Sequence, residues 1–201
     1  MDTAVGLIQA YLRMNGFFTV TEYPIIARTH GGSLTLTDVD ILAVRFPAAQ
    51  RWIPEGNQHG EALSPDPELA LADDCMEMII GEVKEGRAKF NQNAYELPVV
   101  ETVIQRFGCC GHDPSATARA VVKNGRGDTR VGEGMPCRIR MIVFGGAEGE
   151  HHGRYEVISL RHVITFLSRH LNLHRDLYLH TQLKDETLNL MALLVKLDLK
   201  L

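Results

Sequence analysis

Two short stretches of this 201-residue chain carry side chains able to hold a hard cation and to handle a proton. In Met78-Ile-Ile-Gly-Glu-Val-Lys-Glu-Gly86 an apolar run ends in Glu82-x-Lys84, and in Leu34-Thr-Leu-Thr-Asp-Val-Asp-Ile-Leu-Ala43 a second run carries Asp38 and Asp40. Residues two apart on a strand share a face, so Glu82 and Lys84 project together beside Met78 and Ile80. By the same rule Asp38 and Asp40 share one face, and Thr37, Val39 and Ile41 the other. If the two strands pair, three carboxylates and an ammonium converge at the mouth of a core. Carboxylates are the ligands that a hard divalent cation such as Mg2+ prefers, and one or two of them suffice.

A (D/E)-x-Lys triplet is weak on its own, since a chain of this size holds roughly one by chance. Asp198-Leu-Lys200 is a second example here, at the end of a C-terminal helical pattern. The first triplet is distinguished by its setting: an apolar strand before it, Gly81 permitting close approach, and a partner run reading Asp40-Ile-Leu-Ala43.

With these pieces the chain resembles the PD-(D/E)xK nuclease superfamily, the restriction-endonuclease-like fold that includes archaeal Holliday-junction resolvases. The matching parts are a first helix ending in Tyr11-Leu-Arg-Met-Asn-Gly-Phe-Phe18, the Asp40-Ile-Leu-Ala43 strand and the Gly81-Glu-Val-Lys84 strand, all in the first half of the chain. Val39 stands where the motif's proline would be, and a long connection separates the two strands. The resemblance implies that Asp40 and Glu82 bind Mg2+ or Mn2+ and that Lys84 lies beside the attacking water. It implies phosphodiester hydrolysis, with DNA the expected substrate.

That chemistry has physical requirements these residues could meet. Hydrolysis must deliver a hydroxide to an anion and stabilise charge on the phosphoryl oxygens, both of which a bound divalent cation does. The Val83 carbonyl could add a ligand, Asp38 is the expected extra acid, and Lys84 would orient the water or balance charge. Glu22, in or beside the preceding strand, is either a further site acid or an exposed edge residue. Two other readings stay open: a salt-bridge network on a half-exposed sheet, and a non-catalytic nuclease-fold module that binds or scaffolds within a larger assembly.

Composition bounds the rest. With 45% hydrophobic and 23% charged residues this is an ordinary globular chain, expected to form one domain with its core over roughly 1–125 and a C-terminal elaboration over 126–201. No apolar run approaches the roughly 20 residues needed to span a bilayer, and no secretory signal pattern opens the chain, so a cytoplasmic protein is expected. The four cysteines are expected as free thiols. A zinc site from Cys109, Cys110, His112 and Cys137 is disfavoured by the adjacent spacing of the first two, and His151-His152 read as an exposed loop tip. A net charge of −4 argues against nonspecific coating of nucleic acid. The basic segment from Arg119 to Arg140, with Arg126 and Arg130, is a phosphate-facing surface or a solvated hairpin, and Arg87 and Lys89 follow Lys84 closely enough to steer a phosphate.

The elements that must position these groups follow from periodicity. A helix capped by Thr3 is expected over Ala4 to Met14, stopped by Asn15-Gly16, then strands over Phe17 to Ile26 and through Asp40. The Pro- and Gly-rich stretch Ala48 to Asp74 reads as a long loop with one short helix near Pro67; it borders the active site through Arg51, Trp52 and His59, or simply anchors to the body. A helix over Leu97 to Phe107 suits a crossover after the Glu82 strand. Strands are expected at Arg119 to Lys123, Cys137 to Gly145 and Arg154 to Ile158, with a Ser159-capped helix to Leu171 and a last helix from about Asp185. The broad apolar stripe of that last helix serves the core or a homodimer contact. The sum is a three-layer α/β/α restriction-endonuclease-like core with a mixed central sheet, plus extra C-terminal strands and helices.

Overall fold

A long apolar helix and a mixed sheet fix the frame. In the computed structural model, which describes residues 2–55, 58–89, 91–108, 113–132, 134–147, 154–179 and 183–199, the first helix is α1 (Thr3–Met14). Its cap is Asp2 and not Thr3: the Asp2 carboxylate accepts from the Ala4 N–H at 2.7 Å. The chain reverses after Asn15 at Gly16, whose φ of 86° is open to glycine without strain.

Strands β1 (Phe18–Thr29) and β2 (Gly32–Arg45) form a long hairpin. After β2 comes a separate two-stranded hairpin, β3 (Arg51–Glu55) with β4 (Gln58–Leu63), where one long loop was expected. Next, β5 (Met76–Arg87) pairs antiparallel with β2 and carries Glu82 and Lys84. Helices α2 (Leu97–Phe107) and α3 (Pro114–Asn124) lead to β6 (Arg126–Val131) and β7 (Met135–Ala147), and β7 lies parallel to β5. The sheet order is β1-β2-β5-β7-β6, with β8 (Glu156–Ser159) parallel to the far part of β7. Helices α4 (Leu160–Leu173), α5 (Arg175–Leu179) and α6 (Glu186–Lys196) complete the described chain.

Helices cover both faces of the sheet. On one side α1, α4, α5 and α6 bury Ile8, Tyr11, Val163, Leu167 and Met191 against Ile41, Ile79, Ile142 and Phe144. On the other, α2 and α3 bury Val103, Ile104 and Val121 against Leu42, Met78, Ile80 and Val143. The residues after 126, read as an elaboration, are therefore part of the frame: β7 is an inner strand, and Ile142 and Phe144 are fully buried. The stripe on α6 is divided. Leu188, Met191, Ala192 and Val195 fill the core, and Leu190, Leu193 and Leu197 remain exposed.

The segment expected as a strand at Arg119 to Lys123 is the second half of α3. Its start and stop signals outweigh a short β-branched run: Asp113 caps the helix by accepting from the Ala116 N–H, Pro114 occupies the first turn, and Gly125 closes it at a φ of 71°. The zinc reading falls mostly on Cys109, Cys110 and His112, and the loop-tip reading on His151 and His152, all outside the described residues; Cys137 is buried and free.

The basic segment is divided: Arg119, Lys123, Arg126 and Arg130 are exposed, and Arg138 and Arg140 turn inward. Glu77, fully buried on β5, lies 3.2 Å from Arg138 Nη1 and 3.2 Å from Arg140 Nε, and Arg140 Nη1 reaches Glu156 at 2.8 Å. Arg126 is held by its neighbour Asp128 at 2.9 Å. Burial raises the Glu77 carboxyl's pKa, and the two guanidinium groups oppose that shift. Removing Glu77 leaves the buried Arg140 and the partly buried Arg138 with only the more exposed Glu156 and Asp128 for compensation. Glu77→Ala is thus expected to cost about 3–5 kcal/mol in urea unfolding; a loss below about 1 kcal/mol would mean the pairs behave as exposed ones do.

Candidate metal centre and active site

The sequence-predicted acids meet because of one register. Ile41 lies opposite Gly81 on the antiparallel β2–β5 pair, so the next step places Asp40 beside Glu82. Gly81 makes this pairing possible: a Cβ there would strike the Ile41 side chain and lie 3.4 Å from the Phe144 ring. Past this point the sheet forks. β5 continues alongside β7 as far as Arg87 and Ala147, whereas the earlier residues of β2 stay with β1.

Asp40 is half-buried in the angle of that fork and is held by the Val83 N–H, which donates to Oδ2 at 2.7 Å. Val83 thus takes part in the site through its amide, a role besides the expected one of its carbonyl. Glu82 is 2% exposed, and its Oε1 lies 2.5 Å from Lys84 Nζ. The Asn91 backbone N–H also favours the Glu82 carboxylate, and the Asn91 side chain reaches Thr37 Oγ1 at 3.4 Å, closing one side of the fork.

Electrostatics divide this site from an ordinary ion pair. Burial raises the pKa of both Asp40 and Glu82, and each is opposed chiefly by a hydrogen bond, from Val83 and from Lys84 respectively. The Asp40 charge raises Glu82 further, and Asp2 and Glu22 raise Asp40. Glu22 therefore belongs to the acidic group, though its side chain is exposed. Its backbone adopts a φ of 52°, a left-handed conformation that costs a residue other than glycine about 1 kcal/mol or more. Its Oε1 accepts from the Asp2 N–H at 3.3 Å.

Asp38 does not join. Val39 packs with Ile25 and Ile80 in one core and Ile41 with Tyr11 and Ile79 in the other, so the expected face-sharing of Val39 and Ile41 breaks between them. Asp38 is exposed opposite Pro24 and is not among the main charges acting on Asp40. Arg87 and Lys89 are exposed just beyond Lys84. Arg130 is not near: it pairs with Pro136, seven residues along β7 from the Val143 that neighbours Glu82, about 23 Å at the usual strand rise, whereas Arg126 pairs with Arg140, three residues from Val143, and is turned to Asp128.

The β3–β4 hairpin also lies away from the site. Arg51 touches Met14 Sδ and sits 5.7 Å over the Tyr178 ring, at the end of α1 opposite to Asp2, about 18 Å along the helix. Trp52 is 54% exposed, and the His59 side chain lies outside the described residues. The connection is tied down after the hairpin by Asp66, which accepts from Tyr11 Oη at 2.8 Å and lies 2.6 Å from His162 Nε2. That buried carboxylate, with desolvation, pushes the Tyr11 phenol's pKa up.

A cation fits this arrangement on the chain's own terms. Glu82 Oε2 is buried with no hydrogen-bond partner among the described residues, beside a second carboxylate whose charge repels it. No cluster of three or more His, Cys, Asp or Glu groups able to hold a metal occurs among the described residues. An ion here would take two carboxylates and complete its shell with water, the usual manner of Mg2+. Asp2 and Asn91 escaped the sequence reading, since nothing local connects a helix cap or a turn amide to a strand far away.

Compared with known proteins, the chain matches no family model, and no curated protein or solved structure matches it significantly. Among the described residues no helix is long and apolar enough to cross a membrane.

The raised acids set a pH dependence. The folded protein keeps protons that the unfolded chain has released, so ionising Glu82 costs stability as pH rises from the ordinary carboxylate range through its raised value. Glu82→Gln should accordingly gain thermal midpoint relative to wild type as pH rises above about 4, where unfolded carboxylates ionise, measured without divalent cation. A difference that stays constant or shrinks with pH contradicts this assignment.

Proposed function

We propose that this chain is a metal-dependent phosphodiester hydrolase acting on DNA, built on a restriction-endonuclease-like core. The observation that carries the reading is the Asp40–Glu82 pair across β2 and β5, with Lys84 on Glu82 and one Glu82 oxygen left without a partner. The antiparallel β1-β2-β5 run, the crossover through α2 and α3 and the parallel β7 support the same fold reading.

In this account Asp40 and Glu82 hold Mg2+ or Mn2+, which when bound lowers the pKa of water and neutralises phosphoryl oxygens. The Val83 amide fixes Asp40 on the β5 side of the fork, so the carboxylate keeps its place when the substrate's charge arrives. Lys84 pairs with Glu82 Oε1 and leaves Oε2 open; with its side chain 40% exposed, it would be free to shift as a cation bound the carboxylate. Its ammonium then faces solvent and substrate, where it can orient a water or accompany the departing oxyanion. Asn91 and Thr37 limit water entry on the α2 side.

A second reading rests on the basic residues. Arg138 and Arg140 pair internally and the exposed Arg126 is held by Asp128, so part of the expected phosphate-facing surface is occupied by the chain's own acids. A non-catalytic module of the same fold would have that property.

Cleavage separates the two. Linear, single-stranded and branched DNA should be cut with Mg2+ or Mn2+, and the activity should vanish with a chelator. Lys84→Ala should lose about 100-fold or more, with the fold retained by circular dichroism. Absence of cleavage together with absence of divalent binding in calorimetry would select the module.

A further inference from the structure

The β1–β2 hairpin runs well past the site. Beyond the register shift between Ile25 and Ile26 it continues as a two-stranded ribbon, Ile26 opposite Thr35 through Thr29 opposite Gly32, turned by His30-Gly31. Every residue from 28 to 35 is exposed, so neither face of the ribbon lies on the body. From Asp40 to Gly32 the strand extends about 26 Å.

The chemistry of the ribbon differs from that of its base. At the base stand Asp2, Glu22, Asp38 and Asp40, but no acid occurs between Glu22 and Asp38. In a chain of net charge −4 the ribbon's only charged side chain is Arg28, with His30 two residues on. Arg28 lies opposite Ser33 and has no hydrogen-bond or ion-pair partner among the described residues. Ile26 and Leu34 are 60% and 57% exposed on opposite faces.

Resting on the nuclease reading above, we infer that this ribbon enters the major groove of duplex DNA and thereby presents the flanking strand to Asp40 and Glu82. A two-stranded ribbon fits the major groove of undistorted B-form DNA, about 12 Å wide, whereas the minor groove, about 6 Å wide, must be opened to take one. The base of an element inserted in a groove lies at the groove's rim, where the sugar–phosphate backbone runs. Arg28 and Ser33 supply donors for base edges or phosphates, and Ile26 and Leu34 supply apolar contact of the kind thymine methyls accept. The deep, narrow major groove of A-form RNA excludes such a ribbon, so the arm also selects DNA over RNA.

The test is fluorescence anisotropy with a labelled DNA duplex, the matching single strand and the matching RNA duplex, with Ca2+ replacing Mg2+ to limit cutting. Wild type should prefer the DNA duplex. Arg28→Glu should weaken duplex DNA binding by about tenfold or more and leave Mn2+ binding in calorimetry unchanged, with a much smaller effect on the single strand. Unchanged duplex affinity in Arg28→Glu with intact Mn2+ binding overturns the arm's role alone. Equal affinity of wild type for DNA and RNA duplexes does so as well, as does a change of oligomeric state on sedimentation with duplex affinity unaltered, which would make the arm a contact between copies. A wild type that neither binds Mn2+ nor cuts DNA overturns this inference and the nuclease reading together.

Discussion

Two carboxylates forced side by side in a partly dry place repel, and that repulsion is the constraint on which the account depends. The β2–β5 register sets Asp40 next to Glu82, and burial raises the pKa of both. The strand pair would be easier to hold with apolar or neutral residues at these positions. A divalent cation removes the conflict, and phosphodiester chemistry uses such a cation.

The same strand provides its own comparison. Glu77 and Glu82 are both buried on β5, but they are answered differently. Glu77 sits between the guanidinium groups of Arg138 and Arg140, one of them itself buried, so its charge is matched by groups locked in the core. Glu82 faces one half-exposed ammonium and a second acid; both glutamates keep an Oε2 without a hydrogen bond, but that of Glu77 lies 3.2 Å from Arg140 Nε, and no such cation faces Glu82 Oε2 among the described residues. The first carboxylate joins β5 to β7. The second is available for something that arrives from outside.

Much of this was readable from residue order, and the failures have physical causes. The apolar period of α1, the Ser159 cap of α4 and the β5 run are strong local signals, and Glu82-x-Lys84 and Asp40 are residues that the β2–β5 register does bring together. Position α3 was misread because a short β-branched run resembles a strand, although Asp113, Pro114 and Gly125 were already its caps. The grouping of Asp38 with Asp40 assumed unbroken alternation, which the switch of faces between Val39 and Ile41 violates. Arg130 was misplaced because the direction in which β6 leaves the site depends on its register with β7, which no local pattern reveals. Asp2 and Glu22 enter the acidic group through the packing of α1's start against β1, a tertiary fact.

The central claim is that Asp40 and Glu82 together form a divalent-cation site. Crystals soaked in Mn2+ and measured at the manganese absorption edge test it directly. The account predicts an anomalous peak about 2 Å from oxygens of both carboxylates, including Glu82 Oε2, with Lys84 moved off Glu82. Manganese bound only elsewhere, or no peak with Lys84 still on Glu82 at saturating Mn2+, would contradict it.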